Sequence, residues 1–415
     1  MIVNRERKFS GEILLYLAIA GPGVITALAG NGASGITTCS VAGARFGLSL
    51  TWVLVVSTFA LIIFQEMSAR MGAVTGKGLA ALIRERFGLR AAFFAMIVLL
   101  VANISNTISE FAGIAASLDI FGVGIWKYLA VPAITILIWE IVTRGSFRWV
   151  EKFFMALCLI QLCYIVSGFL SRPDWGRVAI SLVKPEFKVD SSFVYTAIAI
   201  VGTTVAPWMQ FFVQGNVVDK GTGIGDYKYQ KVDVISGIIS ANLISLFIII
   251  CCAFTIFPRS ITTAEQAARA LGPLAGQSAS VLFALGLFGA SMLSASVIPI
   301  STSYAVCEAL GWESGIGKKY SEAPIFFGIF AFSLVTSTLV VLIPGISLVR
   351  VQLLAQELNG ILLPIILVYM LSIVNDRRIM GEHVNGNCIN IVAWAMAFGI
   401  IILSFTLFFV GLKGS

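Results

Sequence analysis

Two short stretches hold the residues best suited to chemistry. Residues 21–38 read GPGVITALAGNGASGITT and residues 201–208 read VGTTVAPW. Both interrupt apolar runs with Gly or Pro, which a helix interior disfavours. A helix broken in this way exposes carbonyls at the end of its first half, worth about half a negative charge. The start of its second half exposes N–H groups, worth about half a positive charge. Carbonyls near Gly30 and Thr203 could therefore hold a cation, and the N–H ends an anionic group. Asn31, Ser34, Thr37, Thr38, Thr203, Thr204, Trp208 and Gln210 are neutral polar or aromatic neighbours able to complete a coordination or hydration shell. Small polar residues also hydrogen-bond membrane helices to one another, a role equally open to Thr37, Thr38 and Gln210.

Carboxylates inside apolar runs are rarer. Glu110 lies in NISNTISEFAG, and Glu357 lies in LLAQELNGILLP, about ten residues or roughly 15 Å along its helix. Neither has a partner at helical spacing. Glu66 with Arg70 and Glu140 with Arg144 do, at i, i+4, and read as ion pairs. The single histidine, His383, excludes a histidine-based zinc or relay site. The seven cysteines form no CxxC pair. No nucleophile pattern surrounds His383, so the chain reads as a non-enzyme without a cofactor.

The elements that must position these residues are membrane helices. The chain is 58% hydrophobic and 12% charged, about half the charge of a soluble protein. Eleven spans are expected, at about 13–44, 49–71, 91–117, 124–143, 150–171, 192–217, 232–257, 277–309, 322–343, 347–373 and 388–411. The longest connection, about 172–191, carries charges and a Lys184-Pro185 turn. Of 28 basic residues, 18 fall on the side of the N-terminus, which places that end in the cytoplasm and the C-terminus outside. The net charge of +7 is scattered, so its partner is a lipid bilayer rather than nucleic acid. The expected location is the plasma (inner) membrane, with many spans; nothing in the sequence sets an oligomeric state.

The broken spans are the first and the sixth. An offset of five, an odd number, turns a second five-helix unit upside down relative to the first. Paired breaks in inverted halves point to a transporter site. The repeats run over about 10–173 and 190–375, followed by an eleventh helix at about 388–411, all in one transmembrane domain.

Several blocks then resemble one family. GPG, VAGARFG at 41–47, QEMSARMGAVTGKGLAALIRERFG at 65–88, TTVAPWMQFFVQ at 203–214 and NDRRIMG at 375–381 are similar to the NRAMP divalent metal transporters, most of all the NRAMP-related magnesium branch. The resemblance implies an all-α, LeuT-type fold and a divalent metal ion of magnesium or manganese type as cargo, moved by alternating access. The family's Asp-Pro-Gly-Asn motif falls on Gly32, Ala33, Ser34 and Gly35. The magnesium branch's Asn-Asp-Ala-Gly-Gly falls on Asn31 to Gly35. Either way Gly32 replaces the metal-binding aspartate. The sixth-span Met-Pro-His motif falls on Ala206, Pro207 and Trp208, so its thioether and histidine are missing. Glu110 keeps one half of the third-span acidic pair, with Thr107 at the other position, and the ninth-span arginine pair is gone. These departures imply passage without proton coupling. Glu357 is expected to reach the site and stand in for the lost aspartate. The competing expectation, with no acid at the break, is a carrier for an anionic or zwitterionic small molecule.

Overall fold

A computed structural model describes residues 30–144, 159–187 and 190–413. Its main helices are α1 (Ala33–Phe46), α2 (Thr51–Thr75), α3 (Leu79–Phe87), α4 (Leu89–Ile120), α5 (Lys127–Thr143), α6 (Cys163–Leu170) and α7 (Trp175–Val183). The second half holds α8 (Ser191–Thr204), α9 (Pro207–Asp219), α10 (Tyr227–Thr255), α11 (Ala279–Leu310), α12 (Pro324–Val341), α13 (Leu348–Val374) and α14 (Asn387–Lys413). Among the described residues nine helices are long and apolar enough to cross a bilayer. The first and fifth expected spans lie partly outside the described residues, which include α1 and the shorter apolar stretch Leu159–Leu170. The GPG of the first span also lies outside them.

Two connections carry more structure than expected. Within 172–191, α7 starts at Asp174, whose carboxylate accepts from the backbone N–H of Gly176 at 3.0 Å and Arg177 at 3.2 Å. That is an N-cap placed by sequence alone. Between α2 and α4, α3 forms a second short helix.

The long helices α4 and α11 pack on each other at the centre, α13 lies against α4, and α8 lies against α13. Between lipid-solvated helices apolar burial contributes little, so close backbone approach and polar contacts hold the bundle. At the α8–α13 crossing, a Cβ on Gly202 would overlap the carbonyl oxygen of Gln356, and one on Gly360 would come within 2.9 Å of Ile198 O. Polar contacts tie α4 to its neighbours. Asn106 Oδ1 accepts from Gln356 Nε2 and Asn359 Nδ2, each at 2.7 Å, and Asn103 Nδ2 donates to Thr302 Oγ1 at 2.7 Å. Large apolar side chains such as Leu129, Ile136, Phe332, Leu339 and Ile391 are exposed, as lipid-facing positions require.

Arg70 and Arg86, two of the basic residues in the charge count, are held by contacts between distant segments. Glu66 pairs with Arg70, which also donates to His383 O at 2.8 Å and to Asn385. Arg86 pairs with Asp376 at 2.6 Å, and the Gly78 N–H donates to Glu308 at 2.8 Å. The Glu140–Arg144 pair also forms, on a more exposed surface.

The packing at Gly202 sets a test. Gly202→Val drives a branched side chain into the α13 backbone, and overpacking costs about 1–3 kcal/mol or more. Little monodisperse protein is expected from membranes by fluorescence-detected size exclusion. Gly215→Ala, where nothing lies within 4 Å, should extract as wild type does.

Candidate functional site

Both expected breaks bear on the site. The chain between Gly30 and α1 is non-helical at Asn31 and Gly32, with Gly32 extended at the α1 N-cap. Between α8 and α9 the chain leaves the helix at Val205 and Ala206, and Pro207 opens α9 where its missing N–H costs nothing. The two breaks meet. A Cβ on Gly35 would lie 2.9 Å from Asn31 Oδ1 and 3.3 Å from Thr203 Oγ1, so only glycine lets both oxygens approach α1 this closely.

One face of the junction is a small cavity of about 20 Å³, lined by Gly30, Asn31, Thr203, Thr204, Met209 and Ser245, with Leu61, Ile238, Ala241 and Asn242. Asn31 is held from two other helical segments. Its Nδ2 donates to Gln161 Oε1 at 3.0 Å, and its Oδ1 accepts from Ser245 Oγ at 3.0 Å. Gln161 Nε2 returns a longer bond to Asn31 O at 3.4 Å. Met209 brings a thioether to the first break. No thioether aligns with the sixth-span motif, yet the Met209 side chain reaches Gly30 closely enough that a Cβ there would overlap its Cε. One helical turn beyond the break, the chain brings back the sulfur that position 206 lacks.

The other face holds a buried acid. Glu110 of α4 is 1% exposed. Its Oε2 accepts from the Ala33 backbone N–H at 2.9 Å and its Oε1 from Ser34 Oγ at 2.8 Å. The carboxylate therefore caps the N-terminus of α1, whose partial positive charge stabilises it. Gly113, one turn on along the same face of α4, admits α1. A Cβ there would overlap Ala33 Cβ and Ser291 Oγ. The sequence showed Glu110 without a partner at helical spacing; its partner comes from another helix.

The remaining expected site residues divide. Thr203 lines the cavity. Ala206 is the N-cap of α9, where the Met209 N–H bonds to its carbonyl at 3.2 Å. Trp208 is buried against Phe212, with ring centroids 5.7 Å apart, and does not line the cavity. Gln210 is fully buried and its Oε1 accepts from Ser68 at 3.3 Å. Thr107 donates to Asn103 O at 2.7 Å within its own helix, a local bond without Glu110. Thr37 and Thr38 are buried in α1. Glu357 is 6% exposed on α13, is not among the cavity-lining residues and makes no hydrogen bond among the described residues. The carboxylate beside Gly32 is Glu110, so the expected substitution by Glu357 is not what the geometry brings together. Among the described residues no group of three or more His, Cys, Asp or Glu is placed to hold a metal.

With this geometry in hand, likeness to known proteins is informative. The model of the Nramp (natural resistance-associated macrophage protein-like) family matches residues 23–410. The divalent metal cation transporter MntH of Verminephrobacter eiseniae is 27% identical over 397 residues, covering 93% of this chain and 88% of the relative. The protein of the same name from Ralstonia nicotianae is 28% identical over 403 residues, covering 92% and 88%. Among solved structures, the Eremococcus coleocola manganese transporter superposes with a TM-score of 0.75 at 20% identity, covering 94% of this chain and 85% of that one. Mhp1, a nucleobase-cation-symport-1 family transporter, superposes at 0.57 with 11% identity, covering 95% and 93%. The architecture is the LeuT-type fold expected from the sequence.

The Asn31 contacts can be tested on stability. Asn31→Ala leaves Gln161 and Ser245 without their shared partner, at a cost of about 1–2 kcal/mol. The apparent melting temperature in detergent should fall by a few degrees. Asn242→Ala, which lines the same cavity without a hydrogen bond among the described residues, should leave it unchanged.

Proposed function

The chain belongs to the Nramp family, and from that premise we propose that it carries divalent metal cations of manganese or magnesium type across a membrane, by alternating access around the two broken helices. The observation that carries the reading is the junction itself. Two interrupted helices meet beside a cavity lined by Asn31, Thr203, Thr204, Ser245 and Met209. The oxygens suit a hard ion and the thioether a softer one, and manganese accepts both donor types. Relatives named as divalent metal cation transporters, and a neighbour named as a manganese transporter, support the same cargo.

Passage is uncoupled from protons in this reading. Between α4 and α13 the polar contacts are amides, with Asn106, Gln356 and Asn359 bonded to one another. Amides do not take up and release a proton near neutral pH, so this ladder is no relay. The N-terminus lies in the cytoplasm and the C-terminus outside, in the plasma (inner) membrane, on the bias of the basic residues. The chain is a carrier and not an enzyme. An anionic or zwitterionic solute is disfavoured because Glu110 already occupies the N–H end of α1 where the solute's carboxylate would bind.

Reconstituted protein should show saturable uptake of manganese and magnesium. A reversed pH gradient or a protonophore should leave the rate unchanged, and no proton flux should accompany the metal. Uptake of amino acids or small carboxylates without competition by divalent ions would remove the reading. Met209→Leu keeps the volume and removes the sulfur. It is expected to weaken manganese on the order of tenfold relative to magnesium in the same assay.

A further inference from the structure

The resting geometry at Gly32 carries one step more. A Cβ at position 32 would lie 2.5 and 2.6 Å from the two Glu110 carboxylate oxygens and 2.6 Å from Ser294 Oγ. No side chain fits there while Glu110 is in place. The glycine is the notch in which a carboxylate from another helix sits. We propose that Glu110 supplies, from α4, the negative charge that the broken helix itself lacks, and that the transported cation binds the remaining lone pair of this carboxylate beside the start of α1, on the face of the junction opposite the cavity. The proposal rests on the divalent-cation reading above and adds the identity of the charged ligand and the reason for the glycine.

Three observations support it independently. The first is charge. Glu110 is buried, and its hydrogen-bond donors are the backbone N–H groups of Ala33 and Ser34 and the Ser34 hydroxyl, all neutral, with no Lys, Arg or His salt bridge to it among the described residues. The α1 dipole offsets only about half a charge. A buried acid in such a place stays ionised only with a further positive partner. The second is capacity. A carboxylate has about four lone-pair directions, and three are taken by these donors, so a cation can still be added at the fourth without breaking the cap. The third is a neighbouring acceptor. Gln352 of α13 is 1% exposed, and its Oε1 is buried without a hydrogen-bond partner. Its Nε2 lies 3.5 Å from the Cβ position of Gly113, beside Ala33 and Ser291. Ser291 gives its proton to Leu287 O at 2.6 Å, which leaves its lone pairs available. Glu110, Ser34, Ser291, Ser294 and Gln352 thus crowd oxygen atoms around the start of α1, the donor type that hard divalent ions prefer.

The other buried acids lack this relation to a break. Glu308 accepts from the Gly78 N–H at one end of the bundle, and Glu357 touches neither interrupted segment by hydrogen bond.

The test is a charge relocation in the full-length purified protein, read by calorimetry with manganese and with magnesium. Glu110→Gln should raise Kd on the order of 10–100-fold while the protein stays monodisperse. Gly32→Asp should lose binding, because two carboxylates contest one space. Gly32→Asp combined with Glu110→Ser returns the charge to the break and should recover Kd to within about fivefold of wild type. A purely structural cap would lower stability in Glu110→Gln without changing Kd of the folded protein, and the double variant would then gain nothing over Glu110→Ser. Either result overturns the proposal. Should Glu110→Gln not fold, Glu110→Asp keeps the charge and withdraws it by one methylene; an unchanged Kd in that variant is equally decisive against it. Failure of wild-type protein to bind either metal would instead remove the divalent-cation reading itself.

Discussion

A backbone N–H in the middle of a bilayer has no water to bond, and at Ala33 it bonds the Glu110 carboxylate. Much of the local structure follows from meeting that need. The half-helix must lie hard against α4, so α4 carries Gly113 where Ala33 arrives, and α11 brings the small residues Ser291 and Ser294 to the same place. The carboxylate needs room, so position 32 has no side chain. Breaking a membrane helix creates unsatisfied groups, and the rest of the bundle is arranged to satisfy them without sealing the break.

The polar interior divides into two kinds of contact. At the junction, Asn31 and Glu110 hold α1 from opposite sides, one through Gln161 and Ser245, the other through the helix end. Beside it, α4 and α13 are joined by amide hydrogen bonds. This amide ladder fixes helix spacing without titrating.

Much of the fold could be read in advance because membrane helices are selected by length and apolarity, which are local properties. Among the described residues, the boundaries of nine spans, the breaks at 201–208 and around Gly32, and the i, i+4 ion pairs agree with the structure to within several residues. The short helices α3 and α7 were missed, although Asp174 was an available N-cap signal for α7. Position 206 carries no thioether, and Met209, about one helical turn on, reaches the first break instead.

The sequence by itself determined that the chain spans a membrane, where its helices break, and that the breaks carry no charge of their own. Those facts depend on neighbouring residues and on the solvent, so they are written along the chain. Which acid meets the break depended on tertiary structure. Glu110 and Glu357 look alike in sequence, each a carboxylate in an apolar run without a partner one turn away. Glu110 lies 77 residues from Ala33 and is brought to it by the α1–α4 packing that Gly113 permits. Glu357 makes no such contact. A hydrogen bond about 3 Å long is a statement about three-dimensional placement, and helical spacing cannot decide it.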